Sequence, residues 1–421
     1  MLAYLTLALF LTGFCMIAHR LSRTVVTAPM VFLGLGVGLH ATGMVPQHGT
    51  EASLHVVAEV ALIVLLFLDA AQIDARELRS RFVWPVRMLG IGLPLALVFG
   101  TVVGLLLLPG WPLVAVALVA AILAPTDAAL GQAVVSNPAV PTRPRRALTV
   151  ESGLNDGLAL PVILLLAVLA APDGMAPAMG WLTFGVLQVT LGPLVGAIMG
   201  VVGARVLLWA KAADYTADVY EGIGALALAV AAYLGATLLG GNGFISAFVA
   251  GLAFGAIVQG RCKFVFEFTE SEGQFLSWAA FFLLGAVLVP EAVAHLTWPM
   301  LALILISLLV VRPLAIWLSL IGTDASPTTR LFFGWFGPRG LATALFALLV
   351  VEQIDHHLGE QVLHIAINAV WISALLHGLT AAPAARWYGA RMARAATCEE
   401  NQPLPAGTIT GPVGPDKGRA T

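Results

Sequence analysis

Long apolar runs, each separated from the next by a short charged or turn-forming segment, follow one another to about position 386. A bilayer core about 30 Å thick is crossed by roughly 20 apolar residues in a helix. Thirteen runs approach that length and predict an all-α polytopic membrane protein, with helices numbered α1 to α13 in chain order. The runs cover 2–18, 24–41, 54–72, 84–108, 112–135, 147–171, 181–209, 217–239, 242–258, 274–290, 297–321, 330–351 and 362–386.

The composition agrees with a membrane protein. Of the 421 residues, 59% are hydrophobic and 10% are charged, and the mean hydropathy is +0.94. A soluble domain averages roughly 45–50% apolar and about 25% charged residues. The 21 basic and 23 acidic side chains are too few to cover a soluble surface, which excludes a soluble enzyme, a disordered chain and a nucleic-acid-binding protein.

The basic residues lie on one side of the predicted helices. Twenty of the 21 fall in connections after odd-numbered helices, in the adjoining helix ends, or after α13. Cytoplasmic connections carry an excess of Lys and Arg, so the pattern predicts an inner (plasma) membrane protein with its N-terminus outside and its C-terminus in the cytoplasm. No basic segment precedes α1, so it is predicted to be a retained helix, and 391–421 to be a disordered cytoplasmic tail.

A few ionisable residues lie inside the predicted spans. They are Asp69, Asp127, Glu151, Asp156 and Arg339. Charged groups in a bilayer are costly and by default mark a functional site. With a rise of about 1.5 Å per residue, Asp127, Asp156 and Arg339 lie about 12–13 Å from the inner ends of their helices. Three charges from three helices therefore share one level near the membrane midplane.

The same level carries helix-breaking residues. Pro125 interrupts α5, and Gly337 and Pro338 interrupt α12. Unwound backbone at membrane depth is tolerated only where it is buried in protein or lines a cavity, and paired breaks indicate a transporter's ion site. Because α5 and α12 run in opposite directions and stand seven helices apart, we predict two inverted six-helix repeats, α1–α6 and α8–α13, joined by α7.

The first turns of α6 read ESGLNDG at 151–157. Glu151 and Asn155 are four residues apart, as are Ser152 and Asp156, so these polar groups share a helix face. Carboxylate, hydroxyl and amide oxygens are hard ligands, which suit Na⁺, Li⁺ or K⁺. No soft ligand lies nearby, so we expect neither a transition metal here nor a bound cofactor, only the transported ions.

These residues carry a resemblance to a known family. The chain resembles the monovalent cation–proton antiporters of the sodium/proton exchanger type, in the NhaP-like (CPA1) branch with an Asn-Asp pair in α6. The likeness covers about 1–390 in the correct order. The motifs are APTD at 124–127, ESGLNDG at 151–157, GNGFISAFVAGL at 241–252 and GPRG at 337–340.

The resemblance implies an NhaA-like antiporter fold in which α5 and α12 cross as broken helices. It further implies a homodimer whose protomers each have a dimerisation domain, α1–α2 and α7–α9, and a mobile core, α3–α6 and α10–α13. It implies no catalysis of a chemical reaction, and the Asn-Asp version is associated with electroneutral exchange of one cation for one proton.

The resemblance also implies roles for single residues. Asp156 carries the exchanged ion, with Asp127 and Thr126 lining the site, while Glu151 and Arg339 form a structural ion pair. Asp69 stands where bacterial and archaeal relatives often have a glutamate. It is expected either at the inner mouth of the pathway or as a helix-end acid whose side chain extends to the membrane surface. The candidate cation- and proton-binding residues are Asp156, Asp127, Thr126, Ser152, Asn155 and Asp69.

Burial disfavours the charged form of a carboxylate, so proton and cation compete for Asp156. The residues leave the choice among Na⁺, Li⁺ and K⁺ open, with a K⁺-preferring antiporter as the alternative. A channel-like uniporter differs in lacking proton coupling. An intramembrane aspartyl protease needs two carboxylates that share a proton, and its usual Tyr-Asp and Gly-x-Gly-Asp signatures are absent from this sequence.

Two further groups of residues complete the expectations. Arg312, in the inner half of α11, is expected to extend its side chain towards the cytoplasm. His377, deep in α13, is expected to make an interhelical hydrogen bond. Ordinary solvated histidines are expected at the outer face, namely His48, His55, His295, His356, His357 and His364.

Overall fold

The computed structural model describes residues 2–21, 24–44, 50–73, 83–135, 137–171, 178–258, 261–351 and 353–394. Within these ranges the chain is helical, and its helices follow the predicted spans. They are α1 (Leu2–Leu21), α2 (Ala28–Ala41), α3 (Thr50–Ala71), α4 (Val83–Leu107), α5 (Leu113–Ile122 and Ala128–Val135), α6 (Thr142–Ala170), α7 (Ala178–Ala212), α8 (Asp218–Leu238), α9 (Gly243–Val258), α10 (Lys263–Leu283, Leu284–Leu288 and Val289–Ala294), α11 (Trp298–Ser319), α12 (Pro327–Trp335 and Leu341–Val351) and α13 (His356–Arg394).

Several helices extend beyond their apolar runs. The helical part of α10 begins at Lys263 and that of α13 ends at Arg394, because backbone hydrogen bonds continue where the chain leaves the hydrocarbon. The first residues of the predicted tail are therefore helical, and 395–421 lie outside the described residues.

The outer surface of the bundle is apolar. In the described ranges, seven helices are both long and apolar enough to cross a membrane, and five shorter apolar helices accompany them. Leu106 and Leu238 are 78% and 85% exposed, as expected for side chains that face lipid. The predicted class, an all-α polytopic membrane protein, is confirmed.

Three of the described helices contain a π-helical turn. These turns lie at Met88–Gly92 in α4, Leu284–Leu288 in α10 and Ser307–Val311 in α11. Each is followed within its helix by a proline, which lacks the backbone donor for a regular turn. The wider turn accommodates the proline and keeps the helix continuous.

Glycines bring several helices into backbone contact. Gly251 and Gly255 of α9 lie directly against the backbone of α3, and Gly36 and Gly285 make the equivalent contact between α2 and α10. At each of these four positions a Cβ atom would overlap the neighbouring backbone. Small residues at such seams are the usual means of close helix packing in membranes. The packing therefore joins α3 to α9 and α10 to α2.

The two interrupted helices meet at their breaks. The first half of α5 ends at Ile122 and the second begins at Ala128, while α12 is interrupted between Trp335 and Leu341. The Asp127 amide of the α5 break donates a 2.9 Å hydrogen bond to the Pro338 carbonyl of the α12 break. The breaks occupy the fifth helix of each predicted six-helix repeat, and the crossing is as expected.

The seam between α3 and α9 yields a stability prediction. We expect Gly255→Ala to lower the free energy of unfolding by about 1–3 kcal/mol, because the added methyl group overlaps the α3 backbone. Thermal unfolding of the purified protein in detergent measures the change. In Gly224→Ala, the matched control in α8, the new Cβ meets no described atom within 4 Å, so stability should not fall. Equal stability of both variants would contradict the close backbone contact between α3 and α9 at Gly255.

Candidate cation-binding site

Asp127 caps two half-helices at once. Its Oδ1 accepts a 2.9 Å hydrogen bond from the Leu130 amide at the start of the second half of α5, and its Oδ2 accepts a 2.8 Å bond from the Leu341 amide of α12. Helix N-termini carry partial positive charge, so one carboxylate stabilises both. Gly340 leaves the necessary space, since a Cβ atom there would overlap the Asp127 carboxylate.

Arg339 is the cationic counterpart in the α12 break. Its Nη1 donates hydrogen bonds to the carbonyls of Pro125, at 3.2 Å, and Gly337, at 2.9 Å, which follow the first halves of α5 and α12. Its backbone amide donates a 2.7 Å bond to Ser373 Oγ of α13. Carbonyl ends of helices carry partial negative charge. Arg339 therefore neutralises the ends that Asp127 does not reach.

Glu151 forms an ion pair with Arg312, which corrects the predicted pair with Arg339. Arg312 Nη1 lies 2.9 Å from Glu151 Oε1, and both side chains are 2% exposed. The expectation that Arg312 extends to the cytoplasm is also wrong. Arg312 directly follows the π turn of α11 and its side chain is buried in the protein, whereas the Arg339 guanidinium bonds to the carbonyls of the two breaks.

A hydrogen-bond network links the α5 break to α6. Asn155 Nδ2 donates a 2.5 Å hydrogen bond to Thr126 Oγ1, which donates in turn to Glu151 Oε2 at 3.3 Å. Ser152 Oγ lies 3.4 Å from the same Thr126 hydroxyl. All four side chains are buried. The amide nitrogen of Asn155 is thereby held in place.

Two side-chain oxygens in the site, one of an amide and one of a carboxylate, accept no hydrogen bond from the described residues. They are Asn155 Oδ1 and Asp156 Oδ1, both buried and on adjacent residues of α6. A buried acceptor without a donor costs free energy. These oxygens are therefore available to a ligand that supplies positive charge.

A cavity of about 860 Å³ reaches this region. Four of the predicted residues line it, namely Asp156, Asp127, Ser152 and Asp69. The rest of the lining comes from α1, α2, α3 and α10 and from α5, α6 and α12. The cavity extends to the end of the bundle that carries the basic connections, near Thr24. Thr126, Asn155 and Glu151 are buried outside the cavity lining.

Three residues near the site have partners that the sequence did not specify. His377 Nε2 lies 3.0 Å from the Trp335 carbonyl and Nδ1 lies 3.0 Å from Ser373 Oγ, so the expected interhelical bond of His377 is confirmed. Ser373 and His377, four residues apart, were signalled only by polarity in an apolar helix. Arg312 carried the stronger signal, because it is ionisable and lies within a span.

Crossed broken helices around buried charges and a one-sided cavity are the features of a secondary transporter. Comparison with known proteins indicates the same class. The chain belongs to the family described as "Sodium/hydrogen exchanger, transmembrane", whose profile matches residues 5–387. The resemblance stated from the motifs is thereby confirmed.

Relatives of known name are longer than this chain. It is 24% identical to the K(+)/H(+) antiporter NhaP of Alkalimonas amylolytica over 390 residues, 90% of this chain and 65% of that protein. It is 30% identical to the K(+)/H(+) antiporter NhaP2 of Shewanella sp. (strain ANA-3) over 282 residues, 64% of this chain and 46% of that protein. The matched part thus spans less than two thirds of either relative.

The fold is similar to that of a solved antiporter. The structure of the sodium proton antiporter MjNhaP1 from Methanocaldococcus jannaschii at pH 8 superposes with a TM-score of 0.78 and 21% identity. The match covers 93% of this chain and 98% of that chain. The similarity shows that the two proteins share an antiporter fold.

The buried ion pair yields a second prediction. We expect Arg312→Ala to lower the free energy of unfolding by about 3–5 kcal/mol, because it leaves Glu151 as an uncompensated buried charge. The double variant with Glu151→Gln should lose less than the sum of the single changes. Chemical denaturation of the detergent-solubilised variants measures this coupling.

Arg143 provides the control for that cycle. It pairs with Asp324 at 2.6 Å and lies eight residues before Glu151, about 12 Å along α6. Changes at Arg143 and Glu151 should therefore add. Strict additivity for Arg312 and Glu151 as well would argue against their ion pair.

Proposed function

We propose that the protein exchanges a monovalent cation, Na⁺ with Li⁺ and K⁺ as further candidates, for protons across the membrane. The observation that carries the proposal is the Asp156 carboxylate on the wall of the cavity, because Oδ1 of Asp156 and Oδ1 of the neighbouring residue Asn155 have no hydrogen-bond partner among the described residues. A dehydrated monovalent cation satisfies both oxygens, and a proton on Asp156 removes the charge instead.

Competition for one carboxylate couples the two ions. A charged Asp156 is costly away from water, and binding of either a cation or a proton neutralises it. Only the neutralised site then crosses between the two sides at low cost. Asn155 adds a ligand without a charge, so each turnover carries one positive charge in each direction.

The other predicted residues support this exchange. Asp127 has both carboxylate oxygens bonded to backbone amides, which fixes its carboxylate in the α5 break, where it lines the cavity with Asp156. Thr126 and Ser152 hold the α5 break against α6. Asp69 lies on the cavity wall, where it attracts cations towards Asp156.

The cavity supports a proposal about which helices move. Residues of α1–α3 and α10 line it together with residues of α5, α6 and α12, and the glycine seams join α3 to α9 and α10 to α2. We therefore propose that α4–α6 and α11–α13 form the mobile core. This boundary places α3 and α10, which the sequence assigned to the core, with the dimerisation helices α1, α2 and α7–α9 of a homodimer. The protomer lies in the plasma membrane, with the basic connections and the cavity mouth in the cytoplasm.

The competing functions find less support. The oxygens of Asp127 cap two helices, whereas an aspartyl protease needs both carboxylates free to share a proton at the scissile bond. The names of relatives leave the cation open, because two are K(+)/H(+) antiporters and MjNhaP1 is a sodium proton antiporter.

Everted membrane vesicles test the proposal. With the interior acidified, addition of Na⁺, Li⁺ or K⁺ should collapse the pH gradient in vesicles that contain the protein. Asp156→Asn should abolish the collapse, because the amide binds neither a proton nor a cation strongly. Asp218→Asn makes the same chemical change at an exposed residue of α8 and should exchange as the wild type does. Absence of a response to all three cations would refute the antiporter.

The stoichiometry has its own test. A net charge moved per turnover would be driven by about 2.3 kcal/mol per 100 mV. For one-for-one exchange, we expect the Na⁺-dependent rate in proteoliposomes to stay unchanged when a membrane potential is imposed. A rate that rises or falls with the potential would contradict electroneutral exchange.

A further inference from the structure

A second group of ion-binding side chains lies at the end of the bundle opposite to the cavity mouth. It comprises Glu291 and His295, at the end of α10, and His364, in the first turns of α13. One carboxylate oxygen and one nitrogen from each ring all lie within 4.8 Å of one another. Glu291 and His295 are exposed and His364 is half-buried, so an ion from solution has access.

The tautomer of His295 is set by its own helix. Its Nδ1 lies 3.0 Å from the Glu291 carbonyl, and a carbonyl only accepts, so Nδ1 carries the proton. The lone pair of His295 therefore lies on Nε2, at the free edge of the ring. Donation of one ring nitrogen to a backbone carbonyl is how metal-binding histidines are generally oriented.

The two rings are already arranged side by side. Their centroids are 4.8 Å apart and their planes differ by 3°. Glu291 and His295, four residues apart, present their side chains on one face of α10. Ligands on a tetrahedral zinc ion, with bonds of about 2.0–2.2 Å, lie roughly 3.4 Å from one another. Small rotations of the exposed side chains close the remaining distance.

We propose that Glu291, His295 and His364 bind a divalent transition-metal cation of the Zn²⁺ type, with water as a fourth ligand. Two imidazole nitrogens and one carboxylate oxygen suit Zn²⁺ and are foreign to the hard-oxygen site around Asp156. The sequence had given these histidines no role, because the ligands lie on helices that are about 70 residues apart in the chain.

The position of the site gives the metal a consequence for transport. It spans α10 and α13, which already touch where Asn368 Nδ2 donates a 2.6 Å hydrogen bond to the Ala292 carbonyl. In the proposed division, α10 belongs to the dimerisation helices and α13 to the mobile core. A metal bound by both helices restrains their relative movement at the end of the bundle away from the cavity. Zn²⁺ therefore inhibits exchange. This consequence rests on the proposed function, whereas metal binding does not.

Calorimetric titration of the purified full chain with Zn²⁺ tests the site directly. We expect one ion per chain, with affinity lowered at least about tenfold in His295→Ala, in His364→Ala and in the conservative Glu291→Gln. His357→Ala removes another exposed histidine of the same region, one that contacts Gln361, and should bind as the wild type does. Thermal unfolding of each variant without metal checks that it is folded.

The outcomes separate the two proposals. No binding of Zn²⁺ to the wild type, or equal binding to all variants, overturns the site. Cation-evoked collapse of the pH gradient, measured with and without Zn²⁺, then tests whether the bound metal inhibits exchange. Loss of Zn²⁺ inhibition in His364→Ala supports inhibition through this metal site. Wild-type exchange that Zn²⁺ leaves unchanged overturns this inhibition. A chain that binds Zn²⁺ but never exchanges cations refutes the antiporter while leaving the metal site standing.

Discussion

The structure depends on the neutralisation of four half-helix ends that meet inside the membrane. Water cannot satisfy the unwound backbone of α5 and α12 at that depth, so protein groups must do so. The Asp127 carboxylate takes the two amide ends and the Arg339 guanidinium takes the carbonyls of the two breaks. One acid and one base thereby stabilise a crossing that would otherwise be too costly to form.

The same crossing determines which charge remains for transport. Asp127 and Arg339 satisfy the helix ends, and Glu151 and Arg312 neutralise each other in a buried ion pair. Asp156 is the acid of the crossing region whose charge is left without a cationic partner by these arrangements. Its Oδ1 and that of the neighbouring residue Asn155 are buried without a hydrogen-bond partner among the described residues, and Asp156 lines the cavity. In the proposed exchange, a cation or a proton completes the charge balance.

Packing between helices determines which helices can move relative to one another, and so how such a site is exposed to each side of the membrane in turn. Backbone contact at Gly251 and Gly255 joins α9 firmly to α3, and contact at Gly36 and Gly285 joins α10 to α2. The cavity is lined by Leu65, Leu68 and Asp69 of α3, whereas the backbone of Phe67 and Ala71 contacts α9. Close-packed seams move as units, so motion is favoured at the cavity.

The sequence by itself determined the thirteen helices, their breaks and the residues that carry charge into the membrane. Hydropathy and helix-breaking residues act over a few neighbouring positions, so they can be read along the chain. The APTD and ESGLNDG motifs by themselves also indicate the family. Asp127 lies in the α5 break and Asn155 bonds to Thr126 of the same break, while the binding of an ion by Asp156 stays a prediction.

Only the tertiary structure decided which partners these charges take. Glu151 pairs with Arg312 and not with Arg339, because the choice depends on how α6, α11 and α12 are rotated and at what depth they cross. The same reason applies to His295 and His364, whose rings stack although the sequence separates them widely. Partner choice is a property of helix packing, and hydropathy along one helix carries no information about the rotation of another.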